Sequence, residues 1–292
     1  MLSILIPTYN TTCVELVRKL HQQALTLEIP FEILVVDDGS IQAVVEINNQ
    51  ITAWKGCRLI LLDQNIGPAR IRNFLAAQAQ YPYLLFLDSD TMPKSDTFLA
   101  DYMKEAKPGT VTCGGFVYHR QAPSKKCALR YYYGIHTEEK TAEERNRHPH
   151  EQFIGMSFLA DQAVFIQVHF DETMHFGYAD AYFGILLQQA HIPVRHIENP
   201  VYHVSMDSSE AYLAKIRRSV ENLSQHMDKM KSHIRLLRWY GQLDKFKLVT
   251  LTSLLFSLSQ RIIENNLTSP HPNLSLFAFY KLGYLCRLTS RK

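Results

Sequence analysis

The chain has 292 residues, of which 46% are hydrophobic and 20% are charged, and its formal net charge is +3. This length allows one large domain or one domain with an appendage, and the composition is typical of a globular protein. The five cysteines are scattered and form no Cys-x-x-Cys pair, so neither a zinc knuckle nor a disulfide framework is indicated.

The charge is unevenly distributed along the chain. Residues 215–292 contain 14 Lys/Arg and 4 Asp/Glu, so the first 214 residues have a net charge of −7. The first residues lack the basic segment and the apolar run of a signal peptide, and no apolar stretch approaches the ~20 residues that span a bilayer. We therefore expect a cytoplasmic protein with an acidic body and a basic tail.

Strands and helices alternate through the first 117 residues. Apolar runs predict strands at 2–6, 31–36, 58–62, 83–87 and 110–117, and helical spacing of apolar residues predicts helices at 13–27, 41–54, 69–79 and 96–107. Strands separated by helices form right-handed βαβ units, so we predict an α/β fold with a mostly parallel sheet flanked by helices.

The rest of the chain is less regular. We predict a mobile or inserted loop region with at most one helix at 119–150, an apolar segment at 153–168, a helix at 179–190 and short strands at 194–197 and 201–204. From residue 208 the pattern is helical, with a break at Ser269-Pro270-His271-Pro272. These features predict an α/β domain at 1–207, with halves 1–117 and 118–207, and a basic helical extension at 208–292.

Two acidic motifs follow directly on predicted strands. Asp37-Asp38-Gly39-Ser40 follows one and Asp88-Ser89-Asp90 follows another. Open α/β sheets bind ligands outside the carboxyl ends of their strands, so we expect both motifs to face one crevice. Carboxylates there suit Mg²⁺ or Mn²⁺ together with substrate phosphates. A phosphatase of the haloacid type also uses Asp-x-Asp, but Met92 stands where that family normally has Thr or Val.

Two further motifs follow or begin predicted elements. Pro7-Thr8-Tyr9-Asn10 follows the first strand, either as a loop that holds a planar base or as an ordinary turn. Asn65-Ile66-Gly67-Pro68 begins a helix whose free N–H groups suit an anion, with Arg70 and Arg72 close by. We expect at least one of these arginines to point at phosphate.

Together the four motifs resemble those of the family 2 glycosyltransferases, which have the GT-A fold. They stand in the family order over about the first 120 residues, as Pro7-Thr8-Tyr9-Asn10, Asp37-Asp38-Gly39-Ser40, Asn65-x-Gly67 with Arg72-Asn73, and Asp88-Ser89-Asp90. The resemblance implies inverting transfer of a sugar from a nucleotide-diphosphate donor, most commonly a uridine diphosphate sugar. The expected acceptor is a hydroxyl of a glycan or lipid-linked molecule in cell-surface polysaccharide assembly.

The resemblance also implies roles for single residues. The donor would be bound by Pro7, Thr8, Tyr9, Asn10, Asp37, Asp38, Gly67, Arg72, Asp88 and Ser89, with Asp38 at the base and Asp88 near the ribose. Asp90 would bind the metal that bridges the diphosphate, with Asp88 and His203 as further ligands. Imidazole suits Mn²⁺ better than Mg²⁺, although one histidine among thirteen is equally consistent with a structural role.

The catalytic base is implied by a weaker part of the resemblance, which extends to about residue 205. Phe176-Gly177-Tyr178-Ala179-Asp180 stands where the family usually has Gly-x-Glu-Asp, so Asp180 takes the position of the base and Ala179 replaces the usual Glu. The base removes the proton of the acceptor hydroxyl as it attacks the anomeric carbon. From the residues alone, Asp180 could also cap a helix. Gly155-Met156-Ser157 is either an acceptor-facing segment or a buried turn.

The tail interleaves apolar and basic residues over 274–292, among them Lys281, Arg287, Arg291 and Lys292. This pattern predicts either a helix that contacts the inner-membrane surface or a helix packed on the domain or on a second subunit. We expect no nucleic-acid partner, because no nucleic-acid-binding motif is present. Three alternatives to a transferase remain: a sugar nucleotidyltransferase, a non-catalytic nucleotide-sugar-binding protein and a Rossmann oxidoreductase, although the last lacks its Gly-x-Gly-x-x-Gly.

Overall fold

The computed structural model of the protein describes residues 1–121, 124–231 and 233–290, so Arg291 and Lys292 of the predicted tail lie outside the described residues. The chain forms two compact units. The first comprises Met1–His119, Glu139–His175 and Ala179–Ser205, and the second comprises Arg120–Glu138, Phe176–Tyr178 and the chain from Met206 onward. The domain boundaries predicted above stay a prediction.

The described residues contain ten strands: β1 (Leu2–Thr8), β2 (Phe31–Asp37), β3 (Cys57–Leu61), β4 (Tyr83–Leu87), β5 (Thr91–Pro93), β6 (Val111–Cys113), β7 (Phe116–Val117), β8 (Ser157–Asp161), β9 (Val194–His196) and β10 (Val201–His203). A seven-stranded sheet has the order β3-β2-β1-β4-β8-β6-β9, and a small sheet has the order β5-β10-β7. In the large sheet only β8 is antiparallel to its neighbours. The predicted α/β class and mostly parallel sheet are therefore confirmed.

Thirteen α-helices are described: α1 (Val14–Leu25), α2 (Gln42–Asn48), α3 (Pro68–Gln78), α4 (Phe98–Lys104), α5 (Ala128–Tyr133), α6 (Ala142–Asn146), α7 (Gln162–Gln167), α8 (Ala179–Gln189), α9 (Ser209–Gln225), α10 (Met227–Met230), α11 (Arg235–Lys245), α12 (Val249–Leu267) and α13 (Leu274–Thr289). The helix predicted at 41–54 is α2 followed by a 3₁₀ turn at Asn49–Ala53. Apolar residues of the strands and of α3, α7 and α8 form one cluster of the first unit's core, and apolar residues of α1 and α4 are buried as well.

The strand predicted at 110–117 is two strands in different sheets. Gly114 and Gly115 separate β6 from β7. A Cβ on Gly114 would lie 2.3 Å from the Asn199 carbonyl oxygen, and Gly115 has φ +82°, so both positions favour glycine. Periodicity does not reveal such a break, because the residues on both sides are equally apolar.

The second unit contains the C-terminal helices, of which α12 and α13 pack tightly on each other. Gly283 of α13 allows this approach, because a Cβ there would lie 2.6 Å from the ring of Phe256. Arg217 of α9 donates to Glu264 of α12 and to the hydroxyl of Tyr280 of α13, at 3.0 Å each. Tyr280, Phe277, Tyr284 and Leu285 are buried in this unit. The apolar side of segment 274–290 is therefore used for packing, as the second interpretation of the tail predicts.

Within the described residues, no single helix combines the length and apolar composition needed to cross a bilayer. Helices α11 and α12 pass the same test only when taken together, and a bend of 116° separates them.

Candidate active site

Acidic side chains lie at the carboxyl ends of β2 and β4, the two parallel strands that flank β1. In the sheet, β1 lies between β2 and β4, and Thr8 at the end of β1 is in register with Asp37 at the end of β2. Asp88 follows the last residue of β4, and its backbone N–H donates to the Met156 carbonyl oxygen at 3.0 Å. The two acidic motifs thus share one edge of the sheet, where open α/β sheets bind ligands.

Asp37 and Asp38 have different environments. Both oxygens of Asp38 accept backbone N–H groups at the start of α3, from Ile66 at 2.7 Å and from Gly67 at 3.0 Å. Asp37 Oδ1 accepts the Ser40 N–H at 2.7 Å, whereas its Oδ2 is buried and has no hydrogen-bond partner among the described residues. A buried acceptor without a partner is costly, so Asp37 Oδ2 is a ready acceptor for a ligand donor.

The loops that follow β1, β2 and β3 hold one another in place. The Asn10 N–H donates to Ser40 Oγ at 2.7 Å, and the Ile41 N–H donates to Asn10 Oδ1 at 3.0 Å. Gly39 has φ +77°, and a Cβ there would lie 2.9 Å from the backbone nitrogen of Asn65. Tyr9 beside them is 51% exposed. The loops therefore form a preorganised rim with an aromatic ring open to solvent.

Arg72 is a buried partner of Asp88. Its Nη2 lies 2.6 Å from Asp88 Oδ1, its Nη1 donates to the Pro68 carbonyl oxygen at 3.1 Å, and its guanidinium lies 5.6 Å from the centroid of the Phe170 ring. Burial raises the pKa of Asp88 to about 6, although the charge of Arg72 opposes this shift. The other arginine of the motif, Arg70, forms a half-exposed ion pair with Glu172 at 3.3 Å.

Asp90 is held by the segment that follows β10. The antiparallel pairing of β10 with β5 places His203 opposite Thr91, and the Val204 N–H donates to the Asp90 carbonyl oxygen at 3.0 Å. His203 Nε2 lies 3.4 Å from Asp90 Oδ2, which also accepts the Ser205 hydroxyl. Burial raises the pKa of Asp90, but the hydrogen bonds and the charge of His203 outweigh it and lower the pKa to about 2. Asp90 is therefore a carboxylate at neutral pH.

Asp180 lies in the first turn of α8 and within reach of the same charges. Its Oδ2 accepts the Gly155 N–H at 2.9 Å, and a Cβ on Gly155 would lie 2.8 Å from Asp180 Oδ1. Burial has the largest effect on the two neighbouring groups, because it lowers the pKa of Arg72 and raises the pKa of Asp88. The negative charge of Asp180 raises the pKa of both. The structure thus brings Asp180 to the acidic edge, ninety-two residues after Asp88.

Sequence reasoning missed some contacts in this site. Ser205 lies in no sequence motif, and the sequence around Gly155 is consistent with both an acceptor-facing segment and a buried turn. In the structure, Gly155 and Met156 bridge Asp180 to Asp88 through their backbone. A lone glycine beside an apolar strand is the only sequence signal for this contact, and it is weak.

The described residues contain no group of three His, Cys, Asp or Glu side chains placed to hold a metal ion by themselves. Asp90 and His203 form a pair with one carboxylate and one imidazole. The Asp90 carboxylate, which His203 holds in place, fits a cation that takes its remaining ligands from water and substrate phosphates. His203 Nδ1 is buried without a partner among the described residues, so the ring favours the tautomer with its proton on Nε2, facing Asp90.

The sequence of the chain is similar to known glycosyltransferases. The model of glycosyl transferase family 2 matches residues 3–182. An uncharacterized glycosyltransferase of Haemophilus influenzae is 35% identical over 100 residues, which are 33% of this chain and 38% of that protein. The poly-beta-1,6-N-acetyl-D-glucosamine synthase of Staphylococcus epidermidis is 32% identical over 115 residues, 38% of this chain and 27% of the synthase. The matches thus cover well under half of these relatives.

Solved structures share the fold at low sequence identity. Residues 1–349 of S. aureus TarS in complex with UDP-GlcNAc superpose with a TM-score of 0.52 at 17% identity, covering 99% of this chain and 91% of that one. The Pyrobaculum calidifontis mannosyltransferase PcManGT in complex with GDP-Man and Mn²⁺ superposes with a TM-score of 0.57 at 13% identity. The superposition covers 100% of this chain and 88% of the mannosyltransferase chain. These similarities confirm the predicted GT-A fold.

Proposed function

Because the chain belongs to glycosyl transferase family 2, we propose that it transfers a sugar, with inversion, from a uridine diphosphate sugar to a hydroxyl of a glycan or lipid-linked acceptor. The observation that carries the proposal is the convergence of Asp37, Asp88, Asp90 and Asp180 on one edge of the sheet. Related proteins act in polysaccharide and teichoic acid synthesis, which supports an acceptor in cell-surface polysaccharide assembly. The TarS complex with UDP-GlcNAc supports the choice of uridine.

The donor's nucleoside would lie on the loops after β1, β2 and β3. Asp37 Oδ2 offers a buried acceptor for a base or ribose donor, and the exposed ring of Tyr9 offers a stacking surface. Asp38 would act by holding the start of α3, because both of its oxygens already accept the Ile66 and Gly67 amides. Pro7, Thr8, Asn10 and Ser89 complete the predicted contacts, and their roles remain predictions.

Asp90 is the residue that we propose as ligand of the divalent metal, Mn²⁺ or Mg²⁺. The complex of PcManGT with Mn²⁺ supports a metal in this fold. The metal would neutralise charge on the leaving diphosphate when bound. His203 could ligate only with its proton moved to Nδ1, where the described residues offer no acceptor, so we assign His203 to holding Asp90 in place. Asp88 has its Oδ1 paired with Arg72 and is a weaker candidate ligand.

Asp180 is the proposed base. It takes the proton of the acceptor hydroxyl, whose oxygen attacks the anomeric carbon while the bond to the diphosphate oxygen breaks and its electron pair leaves with the nucleotide. The Gly155 N–H fixes the orientation of the carboxylate. Ala179 stands where the family usually has Glu and is 6% exposed, so this chain lacks one acid next to the base.

We also propose that the enzyme works in the cytoplasm, where nucleotide sugars are made. Every cysteine in the described part of the chain is free, which suits a reducing compartment.

A thermal-shift screen of nucleotide sugars, with and without Mn²⁺, tests the proposal. A donor at a hundred times its Kd should stabilise the protein by about 2.7 kcal/mol, which raises Tm by roughly 5 °C. The predicted result is a rise with one or more uridine diphosphate sugars that is larger with Mn²⁺. A flat response to every nucleotide sugar, in protein that melts cooperatively, would contradict it.

A further inference from the structure

An exposed apolar face on α11, α12 and the turn between them is unexplained by the proposed function. Eight large apolar side chains of the second unit are 40–75% exposed there: Trp239, Phe246, Leu248, Leu251, Leu254, Leu255, Leu258 and Ile262. Folded monomers rarely expose contiguous apolar patches of more than a few hundred Å² unless the patch binds something. We call this set the α12 face.

The side chains of the α12 face form a stripe. Leu248, Leu251, Leu255, Leu258 and Ile262 recur at intervals of three and four residues, which places them along one side of a helix. The opposite side of α12, with Phe256 at 0% and Ile263 at 4% exposed, packs inside the unit. The helix is therefore apolar on two sides, and only one of them is used by the fold.

Basic residues lie at both ends of the stripe. No charged residue occurs from 248 to 260, whereas Lys245 and Lys247 precede this segment and Arg261 follows it. All three cations are exposed. Lys247 has φ +58° at the bend between the helices, where Leu248 N–H donates to the Leu243 carbonyl oxygen at 2.8 Å. Asp244 is the one acidic residue of α11.

We propose that the α12 face docks the protein on an anionic lipid surface, with α12 lying in the plane of the interface. Interfacial helices combine an apolar face with cations that contact anionic head groups. Exposed aromatic side chains such as Trp239 and Phe246 also favour a position at the level of the head groups. The tail helix α13 is a poorer candidate for this contact, because Phe277, Tyr280 and Tyr284 are buried and Phe279 is half-buried. We therefore place the proposed membrane contact on α11 and α12, and the contact predicted for 274–292 stays a prediction.

A second copy of the chain is a poorer occupant of this face. In a parallel pair of α12 helices, Lys247 would lie beside Lys247 and Arg261 beside Arg261. In an antiparallel pair centred on Leu255, Lys247 would approach Arg261. Either pairing sets like charges together at both ends, whereas an anionic surface neutralises every cation.

Flotation of the full chain with lipid vesicles tests the inference. The expected result is binding to vesicles of phosphatidylcholine with 30% phosphatidylglycerol, much weaker binding to phosphatidylcholine alone, and a decline as salt screens the charges. The double variant Leu255→Glu, Leu258→Glu should reduce partitioning of the protein onto the vesicles by about 100-fold, because each leucine that is no longer buried in the lipid costs about tenfold. Lys245→Gln with Lys247→Gln should reduce partitioning roughly thirtyfold, on anionic vesicles only.

Ile166→Glu is the matched control, because Ile166 is a 78% exposed apolar residue of the first unit. It should bind vesicles like the wild type, and unchanged melting of each variant would show that the fold is intact. Wild-type protein that fails to float with anionic vesicles overturns the inference. The inference is also overturned if sedimentation shows that the lipid-free wild type is a dimer and that the Leu255→Glu, Leu258→Glu variant is a monomer, while this variant binds vesicles like the wild type.

Discussion

Replacing Arg72 by Met should destabilise the first unit strongly, because it leaves the Asp88 carboxylate without its partner. Removing one member of a buried ion pair costs about 3–5 kcal/mol. The Asp88 side chain is 29% exposed, whereas that of Arg72 is 7% exposed, so water compensates part of the loss and we expect about 3 kcal/mol. This sum includes about 1 kcal/mol for the hydrogen bond to the Pro68 carbonyl oxygen.

Urea unfolding followed by tryptophan fluorescence measures this effect. The chain has two tryptophans, Trp54 in the first unit and Trp239 in the second, so a Trp239→Phe background reports on the first unit alone. In a double-mutant cycle with Asp88→Asn, we expect a coupling of about 2 kcal/mol. The stability lost in Arg72→Met should shrink as pH is lowered from about 8 to about 5, because Asp88 without Arg72 binds a proton more readily.

The exposed pair Arg18–Glu15, with side chains 51% and 68% exposed, provides the control. Arg18→Met should cost less than about 1 kcal/mol. If Arg72→Met costs no more than Arg18→Met, then the ion pair with Asp88 is not what holds Arg72, and the arginine is free for phosphate as the helix motif alone suggests.

Three further predictions follow from the geometry. Asp180→Asn should retain donor binding by calorimetry and lose at least about 100-fold in transfer rate, and near-normal transfer would place the base elsewhere. Gly39→Ala should lower the free energy of unfolding by about 2 kcal/mol or more, because φ is +77° and the Cβ meets the backbone of 64–65; an unchanged urea midpoint would contradict this. Buried His196 donates from Nε2 to the Pro149 carbonyl oxygen and accepts at Nδ1 from Arg145, and burial lowers its pKa to about 4. Because the unfolded chain binds this proton near pH 6.5, the free energy of unfolding should fall between about pH 6.5 and pH 4, by at most about 3 kcal/mol. The His196→Gln variant should lack that slope, and an equal slope would assign it to other groups.

Much of the first unit follows from its sequence pattern. The run at 83–87 is apolar throughout, and Glu32 is the only polar residue in the run at 31–36, because helices cover both faces of the sheet. These runs also fix where Asp37 and Asp88 emerge. The side-by-side placement of β2, β1 and β4 then brings the acidic motifs to one edge.

Long-range pairings were beyond sequence reasoning. His203 reaches Asp90 because β10 pairs with the three-residue strand β5, and a strand so short has no periodicity to detect. Arg72 follows a helix start that suits an anion, but its burial against Asp88 depends on the end of β4. The tail pattern does not show which neighbour α13 packs on, and the close approach of Gly283 to Phe256 of α12 is visible only in three dimensions.

Calorimetric titration of UDP-GlcNAc into the wild type and into Asp90→Asn, with and without Mn²⁺, tests the central claim most directly. The claim predicts Mn²⁺-dependent binding by the wild type and at least a tenfold loss in Asp90→Asn, about 1.4 kcal/mol. Asp96→Asn, at a side chain 96% exposed, is the matched control and should bind like the wild type. Equal affinity of Asp90→Asn and wild type in the presence of Mn²⁺ would contradict a metal-bridged donor at the end of β4.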